Sequence, residues 1–82
     1  MGKNEQVARA KKDLASHIGQ DEQTIKLVSA VTTQWPDASL GVGEPGMGFA
    51  MVMIDGYVIV LEAEDRRYTY HSDEDRRVVR AD

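Results

Sequence analysis

The sequence predicts an α+β fold in which one N-terminal helix packs on an antiparallel sheet of four or five strands. Near the N-terminus, apolar residues recur at helical spacing. From position 25 onward, apolar and polar residues instead alternate, as they do in strands. With one exception the strand segments are joined by short polar turns, and short connections join antiparallel neighbours.

The predicted helix runs from Asn4 to Ile18. Its apolar face is formed by Val7, Ala10, Leu14 and Ile18. Asn4 is expected to cap the start of the helix, and Gly19 is expected to follow its end, where glycine readily adopts a left-handed conformation.

Five strand segments are predicted, the last of them a short edge strand. The first covers Ile25 to Trp35, with Ile25, Leu27, Val31 and Trp35 pointing to one side. A hairpin is expected next, because Asp55-Gly56 is a pair that favours a two-residue turn between residues 49–54 and 57–62. Further strands are expected at residues 67–72 and 77–80.

The expected hairpin register gives both of its faces an apolar character. Ile54 is predicted to lie opposite Tyr57. One face then carries Met51, Met53, Val58 and Val60. One helix covers only one face of a sheet, so the long loop, the terminal segments or a second molecule must cover the other.

The long connection from Trp35 to Gly48 is the most distinctive segment. It contains both prolines, the only tryptophan and four of the seven glycines. Proline and glycine oppose regular structure, and connections of this length within compact domains are usually functional or disordered. The flanking apolar strands favour an ordered, exposed loop.

Composition narrows the class of protein. Eighty-two residues predict a single domain spanning 1–82, with no cysteine to form a disulfide or a thiolate metal site. The net charge of −4 and the scattered basic residues disfavour nucleic-acid binding. No apolar run is long enough to span a bilayer, and no signal peptide is visible. A removed export signal stays open as an alternative.

Four segments resemble a group of small bacterial domains. They are Trp35-Pro36-Asp37-Ala38-Ser39-Leu40-Gly41, Pro45-Gly46-Met47, Gly56-Tyr57-Val58-Ile59-Val60-Leu61-Glu62 and Tyr68-Thr69-Tyr70-His71-Ser72-Asp73. The resemblance implies a PepSY-like layout of one helix on a sheet, often attached to exported or envelope proteins. It implies no activity, because the group has no assigned biochemical role. Val42 stands where many relatives are expected to carry cysteine, so no thiol role is transferred to this chain.

The residues do not favour catalysis or a bound cofactor. Ser39, with His17 or His71 as its base, is the candidate for a catalytic triad. Ser39 does not lie in a Gly-x-Ser-x-Gly turn, so no catalytic residue is predicted. His71, Asp73, Glu74 and Asp75 do not match zinc or calcium spacing, so no metal site is predicted. The loop glycines do not open a helix after a strand, as a phosphate cradle requires.

The sequence therefore predicts a non-enzymatic interaction or structural module that binds a protein partner or forms a homodimer. Trp35 is either a core residue packed over the helix or an anchor that fills a partner's pocket. The predicted contact residues are Trp35, Pro36, Asp37, Ser39, Leu40, Pro45, Met47, Met51 and Met53. The alternative is an exposed-loop inhibitor of an extracytoplasmic protease or hydrolase, which rests on architecture alone.

Overall fold

The structure is a computed structural model that describes residues 2–36, 39–40, 53–74 and 76–81. Its elements are helix α1 (Lys3–Ile18), a 3-10 turn (Glu22–Thr24) and strands β1 (Lys26–Trp35), β2 (Ile54–Ala63), β3 (Arg66–Asp73) and β4 (Val78–Arg80). The four strands form one antiparallel sheet in the order β1-β2-β3-β4, and α1 packs on one face. The predicted α+β fold is confirmed.

Helix α1 ends where the sequence predicts and begins slightly earlier. Gly19 has a φ of 68° and its N–H donates to the carbonyl of Ala15, so the predicted C-cap is confirmed. The predicted N-cap is wrong: Asn4 lies inside the first turn, and Gly2 is the capping residue. Glycine occupies that position with a φ of 87°, a conformation that asparagine adopts less readily.

The main core lies between α1 and the sheet. It is formed by Val7, Ala10, Leu14, Ala15, Ile25, Ile59, Leu61, Ala63 and Tyr70. Tyr70 is fully buried, and its hydroxyl donates to Asp13 Oδ2 on α1 at 2.8 Å. The phenol therefore joins the helix to the middle of β3 without leaving its polar end unpaired.

A buried glutamine, Gln6, joins the N-terminal part of α1 to the sheet by hydrogen bonds. Gln6 is fully buried, and its Nε2 lies within hydrogen-bond distance of the Asp73 carbonyl (2.8 Å), Asp73 Oδ1 (3.1 Å) and the Arg77 carbonyl (3.2 Å). Its Oε1 accepts from Arg9 at 2.8 Å. Since Asp73 and Arg77 flank the connection between β3 and β4, Gln6 positions that connection against α1.

The hairpin predicted at Asp55-Gly56 is wrong. Both residues lie inside β2, where Asp55 pairs with Gln34 and Gly56 pairs with Thr33. These residues of β2 therefore pair with β1. Ile54 lies opposite Trp35, and not opposite Tyr57 as predicted. Residues 49–52 of the predicted hairpin lie outside the described residues.

The two-residue turn lies instead between β2 and β3. Ala63 pairs with Arg66, and the two residues between them, Glu64 and Asp65, have φ values of 53° and 63°. Positive φ at both positions is the mark of the type I′ turn that suits strand twist. The polar turn that the sequence predicts from Ala63 to Arg66 is confirmed, whereas its type I′ conformation was not predicted, because neither central position is glycine or asparagine.

A β-bulge changes the side to which the apolar residues of β1 point. The register shifts between Leu27 and Ser29, so Leu27 lies opposite Leu61 on the α1 side, whereas Val31 lies opposite Val58 on the other side. Trp35 shares the side of Val31. The predicted single stripe from Ile25 to Trp35 is therefore wrong, because one extra residue reverses strand alternation.

The same Asp-to-Gly change is expected to have opposite effects at the two sites. Asp65→Gly relieves a positive φ and should raise the free energy of unfolding by about 0.5–1 kcal/mol. Asp55→Gly places glycine inside a strand and removes the acceptor of Gln34, so it should lower that free energy by about 1 kcal/mol. Denaturant unfolding of both variants checks this. A gain at position 55 or a loss at position 65 would contradict the strand assignment.

Candidate interaction surface

The side chain of Trp35 crosses the sheet on the face opposite α1. Trp35 lies at the end of β1, and its Nε1 donates to the Ser72 carbonyl on β3 at 2.8 Å. Because β2 separates these strands, the indole passes directly over β2. Trp35 is 8% exposed, so this hydrogen bond is shielded from water.

Gly56 is the residue of β2 over which the indole passes. A Cβ at this position would lie 1.8 Å from the Ser72 carbonyl oxygen and 2.8 Å from Trp35 Nε1. No side chain fits there, so glycine is required for close approach. This explains why Asp55-Gly56, which favours a turn by composition, lies in a strand.

His71 and Leu40 complete a second, smaller cluster around the indole. The rings of Trp35 and His71 stack with centroids 4.4 Å apart. His71 Nδ1 lies 2.7 Å from the Leu40 carbonyl oxygen, and since a carbonyl only accepts, Nδ1 is the donor. Leu40 is 1% exposed. We call Trp35, Leu40 and His71 the Trp35 cluster.

Leu40 holds an unfavourable backbone conformation within this cluster. Its φ is 56°, a left-handed value that costs a residue with a Cβ about 1–2 kcal/mol. Burial of its side chain and the hydrogen bond to His71 offset that cost. Leu40, in the connection between β1 and β2, is thereby held against the sheet. Trp35 and Ile54, which flank that connection, are paired neighbours.

Trp35 is buried, as its predicted role as a core residue requires. It lies, however, on the sheet face opposite α1. The prediction that it packs over the helix is wrong, because the bulge near Val28 turns the end of β1 to the other face. His71, on the face opposite α1, lies against the indole. The sequence carries no local signal that pairs these two residues, which are far apart along the chain.

The other predicted contact residues fall into three groups. Ser39 and Leu40 are buried. Pro36 is exposed, and Met53 is 59% exposed. The remaining predicted positions, namely Asp37, Pro45, Met47 and Met51, lie outside the described residues. Among the predicted contact residues that the structure describes, Pro36 and Met53 are therefore the ones a partner reaches directly.

Beyond the Trp35 cluster, the same sheet face carries a row of valines that we call the valine face. It is formed by Val31, Val58 and Val60, and by Val79, which His71 separates from Val58 on the same face. Val31 is 58% exposed, and the other three are half-buried. At the far end, Arg67 Nε lies 3.6 Å from Glu62 Oε1. The valine face thus lies between an exposed ion pair and a buried aromatic cluster.

Asp73, the last residue of β3, has a local structural role. Asp73 Oδ1 accepts from the backbone N–H groups of Arg76 (2.7 Å) and Arg77 (2.9 Å), besides its contact with Gln6.

Across the described ranges there is no group of three or more His, Cys, Asp or Glu side chains arranged to hold a metal ion. None of the helices described is both long and apolar enough to cross a membrane.

Comparison with known proteins assigns the chain to a family. A family model described as "Domain of unknown function (DUF8738)" matches residues 7–81. The chain belongs to this family. The match extends from the first turns of α1 through β4, so the Trp35 cluster and the valine face both lie within it. Searches of curated proteins and of solved structures each return no significant match.

The close approach at Gly56 gives a sharp mutational expectation. Gly56→Ala should lower the free energy of unfolding by about 3 kcal/mol or more, because backbone atoms of Ser72 must move. Gly19→Ala is the matched control: it meets nothing within 4 Å, and only its positive φ opposes it, so about 1 kcal/mol is expected. Thermal unfolding measures both. Equal losses at the two positions would refute the crossing of the indole over Gly56.

Proposed function

We propose that this chain is a non-enzymatic interaction domain that binds a protein, either a different polypeptide or a second copy of itself. The contact surface is the valine face together with the connection between β1 and β2. The supporting observation is Val31, a large apolar side chain that remains 58% exposed midway along the edge strand β1.

The residues around Val31 support a partner-binding site at this position, as opposed to an isolated exposed side chain. Single apolar residues on a surface are ordinary, but contiguous apolar patches with a polar rim mark contact sites. Val58 lies directly opposite Val31, and Val60 lies two residues further along β2. The Glu62–Arg67 ion pair bounds this row at one end. These β-branched side chains are stiff, so a partner orders little side-chain motion on binding.

The Trp35 cluster supports a second part of the proposal. By fixing Leu40 on the sheet, it provides a rigid base for the connection that follows. Pro36, Asp37, Pro45 and Met47 are proposed to contact the partner from that connection, and Met51 and Met53 from the approach to β2. A fixed base lowers the entropy lost on binding.

The recurring pattern of the resembled bacterial group gains a structural interpretation within this proposal. Trp35, Leu40, Gly56 and His71 come from three of its four segments, and they contact one another or approach closely. We propose that these positions of the pattern maintain the fold of the sheet face. A PepSY-like relationship and an exported or envelope location are part of the same proposal. Cell fractionation of the native host tests the location.

Site-specific photo-crosslinking tests the contact surface. A photoreactive phenylalanine analogue at Val31 should give covalent protein adducts in host extract, several-fold more than the same analogue at Ser16, which is exposed on α1. Excess unlabelled wild-type chain should compete for these adducts. Unlabelled Val31→Lys should not, because a charge opposes burial of that position.

Adducts of equal yield at Val31 and Ser16, or no adduct at either, would contradict the proposed surface. Recovery of a protease or hydrolase through Pro36, with none through Val31, would favour the exposed-loop inhibitor instead.

A further inference from the structure

We infer that β1 pairs with β1 of a second copy of this chain, antiparallel and about a twofold axis at Val31. The two four-stranded sheets would then form one continuous sheet of eight strands, with both α1 helices on the same face. This inference rests on the proposed function and names the partner.

The first observation is that β1 is a long edge strand. The sheet order places β1 at one edge, and among the described residues no strand pairs with its outer side. It has ten residues and is about 33 Å long at about 3.3 Å per residue. The other edge strand, β4, has three residues. The outer backbone groups of an edge strand are a template for another strand, and a longer edge offers more of them.

The second observation is that the middle of β1 has none of the usual protection against strand pairing. Proteins protect edges with charges, prolines, bulges or short strands. Here Lys26 and the bulge near Val28 lie at one end, and Pro36 lies just beyond the other. The nine residues from Leu27 to Trp35 carry no charged side chain. Leu27 and Val28 are 46% and 40% exposed, so the strand presents apolar surface as well as backbone.

The helix leaves this edge accessible. Thr32 and Gln34 point to the α1 side of β1, opposite Tyr57 and Asp55, and both are exposed. Helix α1 therefore does not extend over the outer half of β1, and a neighbouring strand can approach in the plane of the sheet.

Symmetry limits the possible registers, and pairing the exposed Val31 side chains with each other selects one of them. A twofold axis perpendicular to the sheet keeps each face on its own side, so only residues of the same face meet across the contact. An axis at Val31 places Val31 opposite Val31, Ser29 opposite Thr33 and Ala30 opposite Thr32. Every one of these pairs is uncharged and joins residues of the same face. The row from Val58 to Val31 then continues into Val31 and Val58 of the second copy.

A second copy fits this edge better than a charged partner. The edge offers no charge that a charged strand would neutralise, and a copy of β1 supplies an uncharged strand of equal length. The contact is small: one strand-to-strand edge buries roughly 1,000 Å² or less, at the low end for specific interfaces. We therefore expect a reversible dimer with a dissociation constant of roughly 1–100 μM.

Sedimentation velocity of the full chain tests the dimer. Over about 1–500 μM the wild type should change from monomer to dimer. Val31→Lys and Val31→Glu should each remain monomeric, because like charges would face one another across the axis. Ser16→Lys, which adds the same charge on exposed α1, should dimerise as the wild type does.

Mixing the two charged variants tests the register. An equimolar mixture of Val31→Lys and Val31→Glu should recover dimer, because opposite charges then face each other at the axis. Recovery is expected only if position 31 of one copy meets position 31 of the other. Circular dichroism confirms that the variants are folded. Hydrogen exchange of the wild type offers a test without substitution, since those amides of residues 29–33 that point away from β2 should become more protected as concentration rises.

Four results would overturn the inference. They are a wild type that stays monomeric throughout, a Val31→Lys variant that dimerises normally, a mixture that does not recover dimer, and exchange in β1 that is independent of concentration. A monomeric wild type that still captures a different protein through Val31 would reject the dimer and leave the proposed function standing. A monomeric wild type that captures nothing would reject both.

Discussion

The hydrogen bond from Trp35 Nε1 to the Ser72 carbonyl is the contact on which the rest of the sheet depends. It joins the end of β1 to β3 across the intervening strand, which a backbone ladder between neighbours does not do. It requires a residue without a side chain at position 56, and it presents an indole face against which His71 stacks. His71 in turn holds the Leu40 carbonyl. One tryptophan thus contacts Gly56 on β2 and Ser72 and His71 on β3, and through His71 it is linked to the Leu40 carbonyl.

The two faces of the sheet are consequently organised in different ways. The α1 side is a conventional apolar core with polar contacts at its margins, where Gln6 and Asp13 of the helix reach Asp73 and Tyr70. The opposite side has a compact cluster at one end and, beyond it, the valine face, of which Val31 is exposed. A small domain has limited apolar surface to bury. Leaving Val31 exposed between these regions is therefore informative, and the proposed contact follows from it.

Sequence reasoning recovered the features that depend on local periodicity. The helix, its end at Gly19 and the later strands follow from spacing and from glycine's conformational freedom. It failed where a residue's role depends on a distant one. Gly56 accommodates a side chain from another strand, and an Asp-Gly pair gives the same signal for a turn and for such a close approach. The bulge near Val28 likewise reversed the predicted side of Trp35, although the alternation on each side of it was correctly recognised.

The position of Trp35 also gives the molecule a built-in optical label. It is the only tryptophan in the chain, so emission excited at the red edge of protein absorbance arises from one place. That place is in contact with an imidazole ring and lies beside the start of the connection between β1 and β2. Separation of that connection from the sheet would alter the polarity around the indole and hence its emission maximum. Structural changes around Trp35 can therefore be followed in the unlabelled protein, separately from the unfolding of α1.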